Sequence, residues 1–220
     1  IDRARAVEPL DGELDDEGAE ILPLAEVTTL IPKSQMDISK IFKEGDVVLV
    51  QVIKEPMGEK GAKLSTCFTL PGKFIVLMPN ISQIGVSRKI EDAAERDRLK
   101  EIVTSYLPSG MGAIIRTTAE NKSRENITKD LAMLVSVWHA INKKFKKAEI
   151  GEKVHEDLPI TLRAVREHLD DDVEAVICDL EEDFLAVQRF IKYFMPDYLR
   201  VLRLYTETLT VFEHFGIEKQ

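Results

Sequence analysis

Long apolar runs and paired cysteines are missing from this chain of 220 residues, and aromatic residues make up only 6% of it. No stretch approaches the roughly 20 apolar residues that a membrane-spanning helix requires. No charged segment followed by an apolar one suggests export, so we expect a cytoplasmic location. Cys67 and Cys178 stand in no disulfide or metal motif, and we expect two buried free thiols. The remaining composition, 44% apolar and 31% charged, is that of a globular protein with one or two domains.

The chain as a whole has no excess of positive charge, because its formal net charge is −9. The charge is unevenly distributed: residues 1–31 carry a net −7, residues 32–147 a net +7 and residues 148–220 a net −9. A basic middle between acidic ends is typical of a segment that binds a polyanion. The acidic ends would weaken non-specific binding of other polyanions. The alternative is that scatter along a highly charged chain produces the same totals.

The most specific local pattern is a β-rich stretch in the first half of the chain. An apolar run, 47–53, enters a turn with glycine and lysine, 56–61, and a second extended run, 62–68, leaves it. This pattern predicts a β-hairpin with Lys60 on the turn and its ammonium group in water. A Pro-Gly turn then leads into a third β-rich run, 74–78.

Downstream patterns predict helices and short strands in alternation. Asp92 can cap a helix whose apolar residues, including Tyr106, fall at helical spacing. Residues 111–118 are predicted as a strand, and residues 124–147 as a long amphipathic helix with a lysine-rich end that suits the helix dipole. From residue 159 onward the pattern is that of an α/β unit, with helices at 162–169 and 181–193 and strands at 173–178 and 199–205.

Several residues have the chemistry of a phosphate pocket. Arg116 and Thr117 end a predicted strand. Arg88 and Lys89 lie in a predicted loop, and Gly72 belongs to a turn whose backbone can approach an anion. Arginine offers a planar fork of donors, and threonine offers a hydroxyl. The same residue types are common on ordinary solvated surface, so spacing alone leaves both interpretations open.

Other catalytic or metal-binding patterns carry little weight. The four histidines lie too far apart for a ligand motif, and the sequence has no glycine-rich nucleotide loop and no nucleophile elbow. Asp170, Asp171 and Asp172 are consecutive carboxylates at a predicted helix-to-strand corner. Such a run more often marks solvated charge than a cation site.

Four short segments occur in a fixed order and spacing: Lys60-Gly61-Ala62-Lys63-Leu64-Ser65-Thr66, Leu77-Met78-Pro79-Asn80, Gly85-Val86-Ser87-Arg88-Lys89-Ile90-Glu91 and Ile115-Arg116-Thr117. Together they resemble the bacterial ribonuclease E/G family. The resemblance extends from about Ile21 to Gln220, and it includes Leu22-Pro23-Leu24, Trp138 and Leu204-Tyr205-Thr206. Several motifs matched at the correct spacing are more specific than any one of them.

The resemblance implies an α+β multidomain fold. We expect an acidic leader or divergent barrel segment in residues 1–20, an incomplete OB-type RNA-binding barrel in 21–68, a 5′-monophosphate sensor domain in 69–157, and the beginning of an RNase H-like domain in 158–220. Ile21 departs from the family, which usually places an aromatic residue there to stack on a base. The glycine- and valine-rich first strands of the barrel are also not recognisable in residues 1–20.

The resemblance also implies a binding site. The family holds the terminal phosphate of RNA with residues whose counterparts here are Gly72, Val76, Arg88, Arg116 and Thr117, and its barrel lysine corresponds to Lys60. It further implies a Mg²⁺-dependent endoribonuclease, in which a metal-activated water cleaves the phosphodiester. The family's metal-binding aspartates lie downstream of the Tyr-Thr strand. We therefore expect no catalytic or metal-binding residue in this chain, and no activity from the chain alone.

Two functions follow from the resemblance. The first is the RNA-binding and 5′-sensing part of a single-strand-specific endoribonuclease of RNA processing and decay, acting on mRNA and rRNA. The alternative is a non-catalytic RNA-binding protein that retains the sensor and the barrel. In both cases the expected partner is single-stranded RNA, preferably with a 5′-monophosphate, and we expect no membrane span and a homo-oligomer for the full protein.

Overall fold

The computed structural model describes residues 42–217, and the chain divides into two compact units after Val154. Each unit has its own apolar core. The predicted leader, 1–20, and the first half of the predicted barrel segment lie outside the described residues. The division into a barrel at 21–68 and a sensor at 69–157 therefore stays a prediction. None of the helices within residues 42–217 is long and apolar enough to cross a membrane.

A β-hairpin opens the first unit. Strand β1, Gln51–Lys54, pairs antiparallel with β2, Lys63–Ser65. Between them Met57 and Lys60 exchange two backbone hydrogen bonds of 3.0 and 3.1 Å, which close the turn. At the start of β1 the Gln51 side chain bonds both the N–H and the carbonyl of Thr69, at 2.9 and 3.1 Å. The predicted hairpin is confirmed, although its first strand begins at Gln51, the first residue paired with β2.

A larger sheet holds the remaining strands described in this unit: β3, Leu70–Pro71; β4, Ile75–Met78; β5, Ile84–Val86; and β6, Gly112–Ile115. Their order in the sheet is β3-β4-β6-β5. Strand β6 is antiparallel to β4 and parallel to β5. The start of β4 and the C-terminal ends of β5 and β6 therefore lie at the same edge of the sheet.

Two helices pack with this sheet. Helix α1, Ala93–Tyr106, begins after Asp92, whose carboxylate accepts the Ala94 N–H at 3.0 Å. Helix α2, Arg124–Phe145, begins after Ser123, which caps it in the same way. Both caps satisfy N–H groups that the helices cannot bond internally. The predicted helices are thus confirmed.

The apolar core of the first unit follows from the alternation of side chains along the strands. Ile75 and Leu77 of β4 lie in the cluster that contains the buried residues of α1 and α2. Val76 and Met78 belong to a second, smaller cluster with Ile114 of β6. Strand β4 is buried along its whole length, and each fully buried Ile or Leu contributes about 1.5–3 kcal/mol to folding.

Two details of the first unit differ from the sequence prediction. The strand predicted at 111–118 ends at Ile115, because Thr117–Ala119 form a turn of 3-10 helix in which the Ala119 N–H donates to the Arg116 carbonyl at 3.0 Å. Arg116 thus stands at a strand-to-helix corner. Tyr106, expected on the apolar face of α1, is the last residue of that helix and is 55% exposed.

The second unit alternates helices and strands: α3, Ile160–His168; β7, Val176–Cys178; α4, Glu181–Phe194; a 3-10 helix, Pro196–Val201; β8, Leu202–Leu204; and α5, Val211–His214. Strands β7 and β8 pair in parallel. The alternation predicted from residue 159 onward is confirmed. The strand predicted at 199–205 is shorter than expected, because the 3-10 helix takes up its first residues.

The two cysteines, Cys67 and Cys178, are buried and free, as predicted. Burial raises the pKa of the Cys67 thiol to about 11. A thiol with so high a pKa has almost no thiolate at neutral pH and is a poor nucleophile. Cys178 packs in the apolar core of the second unit.

Candidate functional site

One edge of the larger sheet collects four of the predicted site residues: Gly72, Arg88, Arg116 and Thr117. Arg116 and Thr117 follow β6, and Arg88 lies in the loop that follows its parallel neighbour β5. Gly72 begins the turn that leads into β4, which runs antiparallel to β6. The Arg116 N–H donates to the Phe74 carbonyl at 2.9 Å, which fixes the corner against this turn.

The Arg116 side chain reaches the same turn. Its Nη1 donates to the Gly72 carbonyl at 2.7 Å and so joins segments that are 44 residues apart in the chain. A guanidinium carries several N–H donors in one rigid plane. A bond that fixes one edge of this plane therefore sets the direction in which the others point, which is what recognition of a phosphate needs.

The carboxylate of Asp130, on α2, organises the turn as well. Its Oδ2 accepts the N–H groups of Phe74 and Ile75 at 2.8 and 3.0 Å, and its Oδ1 accepts the Lys73 N–H at 3.2 Å. Burial raises the pKa of Asp130, while these three bonds and the charge of Arg116 oppose the shift. Three backbone donors strongly favour the charged form of a carboxylate, and from these bonds we infer that Asp130 is ionised.

Glycine at position 72 lets this carboxylate come close to the backbone. A Cβ at Gly72 would lie 2.5 Å from Oδ2 and 2.8 Å from Cγ of Asp130, well inside van der Waals contact. The Gly72 N–H also donates to the Ile75 carbonyl at 2.7 Å, at the mouth of the turn. A larger residue at 72 would push Asp130 out of its position.

Two neighbouring threonines follow Arg116 and differ in their surroundings. Thr117 is exposed at the start of the 3-10 helix, so it is accessible to a ligand. Thr118 is half-buried, and its hydroxyl donates to the Lys73 carbonyl at 2.5 Å. Thr118 therefore ties the corner after β6 to the turn before β4.

The loop that carries Arg88 is held by Arg96 of α1. The Arg96 Nη1 donates to the carbonyls of Ser87 and Ile90 at 2.6 and 3.0 Å, and its Nη2 donates to the Val86 carbonyl at 3.4 Å. Arg88 itself is exposed. The loop backbone is thus bonded to α1, while the Arg88 side chain lies on the surface.

Val76 and Lys60 are the predicted site residues outside this group. Val76 is the second residue of β4, pairs with Ile114 of β6 and is 5% exposed, so it lies inside the sheet. Lys60 is exposed on the turn of the hairpin, as its position in the sequence indicates. The parts that these two residues play in RNA binding stay predictions.

Sequence reasoning did not single out Asp130, Thr118 or Arg96. The one available signal was for Asp130, an acidic residue directly before a core leucine, Leu131, on an amphipathic helix. A carboxylate at that place must find donors, but nothing in the sequence says that they come from residues 73–75. Arg96 in the first turns of a helix gives no signal at all.

The described residues do not fit a magnesium site. Residues 42–217 contain no group of three or more His, Cys, Asp or Glu side chains placed to hold a metal ion. In the aspartate run, Asp171 accepts the Tyr198 hydroxyl at 2.7 Å and Asp170 accepts the Asp172 N–H at 3.1 Å. Burial and the bond to Asp171 raise the pKa of Tyr198 to about 12. These carboxylates make local structural bonds.

Comparison with known proteins agrees with the sequence motifs. The family model described as Ribonuclease E/G family matches residues 69–220. Ribonuclease G of Escherichia coli strain K12 is 33% identical over 184 residues, which cover 84% of this chain and 38% of that protein. Ribonuclease E of Haemophilus influenzae is 35% identical over an alignment that covers 97% of this chain and 24% of that protein.

This chain therefore spans less than half the length of the curated relatives that it matches. The matched region, 69–220, contains the sheet edge with Gly72, Arg88, Arg116 and Thr117 and the whole described part of the second unit. The resemblance inferred from the four short segments is confirmed. The chain belongs to the ribonuclease E/G family.

Proposed function

We propose that the first unit binds single-stranded RNA by its 5′-monophosphate end, as the sensing part of an endoribonuclease of RNA processing and decay. One observation carries this proposal: Arg116, Thr117 and Arg88 lie at the same edge of the sheet, beside the turn that Gly72 begins. Guanidinium forks and a hydroxyl are the donors that recognise a terminal phosphate dianion. The surrounding segment, 32–147, also has the net positive charge, +7, that a polyanion requires.

The energetics of such a pocket suffice for discrimination. A hydrogen bond to a charged group contributes about 1.5–3 kcal/mol, and about 1.4 kcal/mol corresponds to a ten-fold change in affinity. One or two bonds that a 5′-hydroxyl end cannot make therefore distinguish the two RNA ends by ten-fold or more. Backbone contacts elsewhere on the RNA would add affinity without discriminating between the ends.

Cleavage, the magnesium ion and a homo-oligomeric state belong to this proposal as properties of the whole protein. The names of the relatives, ribonuclease G and ribonuclease E, support RNA cleavage, whereas the magnesium ion and the homo-oligomer rest on the family resemblance alone. The non-catalytic alternative predicts the same RNA binding, but no cleavage by the full-length protein in the presence of Mg²⁺. A cleavage assay on the full-length protein separates the two.

We expect Arg116→Ala to abolish the preference for 5′-monophosphorylated RNA. The substitution removes the fork and its bond to Gly72, so a wild-type preference of about ten-fold or more should fall to about two-fold or less. The measurement is fluorescence anisotropy with one short single-stranded RNA, bearing either a 5′-monophosphate or a 5′-hydroxyl, at fixed salt.

Arg163→Ala is the matched control, because Arg163 is an exposed arginine on α3 of the second unit. It removes the same charge and should leave the ratio of the two dissociation constants unchanged. Equal binding of both RNAs by the wild type would overturn the proposal, and so would an equal loss for both RNAs in Arg116→Ala.

Lys60→Ala tests the hairpin separately. Because Lys60 is exposed on its turn, a phosphate contact there should not depend on the 5′ end, and both RNAs should bind more weakly by a similar factor. The slope of log affinity against log salt should also become shallower by about 0.7, the value for one phosphate contact on a single strand. Lys100→Ala, an exposed lysine on α1, is the control. An unchanged slope in Lys60→Ala would show that Lys60 contacts no phosphate.

A further inference from the structure

The turn formed by residues 72–75, called the Gly72 turn below, is held by two side chains that the proposed function does not use. We propose that Asp130 and Thr118 are positioning residues, which set the geometry with which Arg116 meets the RNA 5′-phosphate. This inference rests on the proposed function and deepens it. It also gives Gly72 a different task from the one that its place in a phosphate pocket suggests.

The first step concerns the backbone donors of the turn. Consecutive N–H groups in a turn form a concavity that binds anions. In the Gly72 turn the N–H groups of Lys73, Phe74 and Ile75 all donate to the Asp130 carboxylate. The chain thus fills this concavity with its own anion, so these three N–H groups are not available to an RNA phosphate at the same edge.

The second step concerns the Gly72 carbonyl. In the commonest β-turns the N–H of the fourth residue donates to the carbonyl of the first. Here the Ile75 N–H donates to Asp130 Oδ2 at 3.0 Å, and the Gly72 carbonyl accepts Arg116 Nη1 at 2.7 Å. By taking up the Ile75 donor, Asp130 leaves the Gly72 carbonyl to orient the guanidinium.

The third step concerns glycine itself. The nearest atoms to a Cβ at position 72 are all atoms of the Asp130 side chain, at 2.5 to 2.8 Å. The absence of a side chain therefore makes room for the carboxylate. We infer that Gly72 serves Asp130 and, through it, Arg116, and that it makes no direct contact with phosphate.

Thr118 completes the arrangement. Its hydroxyl donates to the carbonyl of Lys73, whose N–H donates to Asp130. The peptide groups on both sides of Lys73 are thereby held by side chains from two other elements, the 3-10 helix and α2. Loss of either bond would let the turn shift relative to Arg116.

The test is Asp130→Asn, which preserves the shape of the side chain. Asparagine offers a single acceptor oxygen to the three N–H donors, and its NH₂ group replaces the other carboxylate oxygen. We expect the 5′-monophosphate preference, measured by anisotropy as above, to fall about five-fold or more, while the affinity for 5′-hydroxyl RNA stays within about two-fold. Electrostatics alone predicts the opposite sign, because removal of a negative charge near a phosphate dianion should tighten its binding. A preference that is unchanged or increased would overturn the inference.

Glu125→Gln is the matched control, since Glu125 is an exposed carboxylate of the same helix and pairs with Lys129 at 2.7 Å. It should leave the preference unchanged. Circular dichroism reports whether Asp130→Asn is folded. If it is not folded, Thr118→Val is the variant that tests the inference. That variant should lower the preference about two- to three-fold, and an unchanged ratio would overturn the inference.

The two proposals fail in different ways. A wild type that binds both RNAs equally overturns the proposed function and the positioning role with it. A wild type with a clear preference that Asp130→Asn and Thr118→Val both retain overturns the positioning role alone.

Discussion

Gly112→Ala is expected to destabilise the first unit by about 3 kcal/mol or more, the upper end of the effects of overpacking. A Cβ at this first residue of β6 would lie 2.5 Å from the Gln83 nitrogen, and closer still to the carbonyl oxygens of Ile81 and Gln83. All three atoms belong to the backbone and cannot rotate away as the end of a side chain would. The Gln83 carbonyl is also bonded to the Ala113 N–H at 2.8 Å, so a shift there would disturb the pairing of β5 with β6.

The measurement for Gly112→Ala is urea unfolding followed by circular dichroism. The control is Gly61→Ala, because no atom lies within 4 Å of a Cβ built at Gly61. That variant should stay within about 0.5 kcal/mol of the wild type. Wild-type stability in Gly112→Ala would contradict a close approach of these backbones.

We expect the second large effect from Gly72→Ala. It should lower the free energy of unfolding by about 2–4 kcal/mol and should also remove the proposed preference for a 5′-phosphate. The new methyl group and the Asp130 carboxylate cannot both occupy their places. If the carboxylate moves, three part-buried backbone N–H groups lose their acceptor. A fully buried donor without an acceptor costs about 1–3 kcal/mol, and a part-buried donor costs less because water can reach it. The turn that orients Arg116 would then relax.

The cause can be isolated with a double mutant. If the clash with Asp130 is the source of the loss, Gly72→Ala combined with Asp130→Ala should be about as stable as Asp130→Ala alone, so the two effects should be non-additive by as much as Gly72→Ala costs by itself. Gly72→Ala with Glu125→Ala should instead be additive, since Glu125 is exposed and pairs with Lys129. Additivity in both pairs, from urea unfolding, would contradict a direct clash.

Local features of the fold were predictable where they depend on neighbouring residues. The hairpin followed from apolar runs around a glycine- and lysine-bearing turn, and α1 and α2 followed from a cap and an apolar stripe. The strand after Met111 was predicted too long, because Thr117 and Thr118 have good strand propensity but take part in a 3-10 turn.

The candidate site was predictable in part. Its residue types and the family motifs pointed to Arg116, Thr117 and Arg88, but their meeting at one edge depends on the parallel pairing of β5 with β6, a contact that the hydrophobic pattern does not encode. Asp130 could not be placed, because its partners at 73–75 lie 55 to 57 residues earlier in the chain. A side chain that bonds to a distant part of the backbone produces no periodic pattern of residue types in the sequence.

The hydrogen bonds that Arg96 makes to the loop after β5 have a consequence for the rate at which the proposed site would bind RNA. One guanidinium bonds the carbonyl of Val86 at the end of β5 and the carbonyls of Ser87 and Ile90 in the loop. The loop therefore has few alternative conformations to lose when a ligand binds. A site with little ordering left to do forms its complex in a single step, without a slow closure after encounter. For the proposed RNA site, the association rate should then be set by the arrival of an RNA end and should depend on ionic strength.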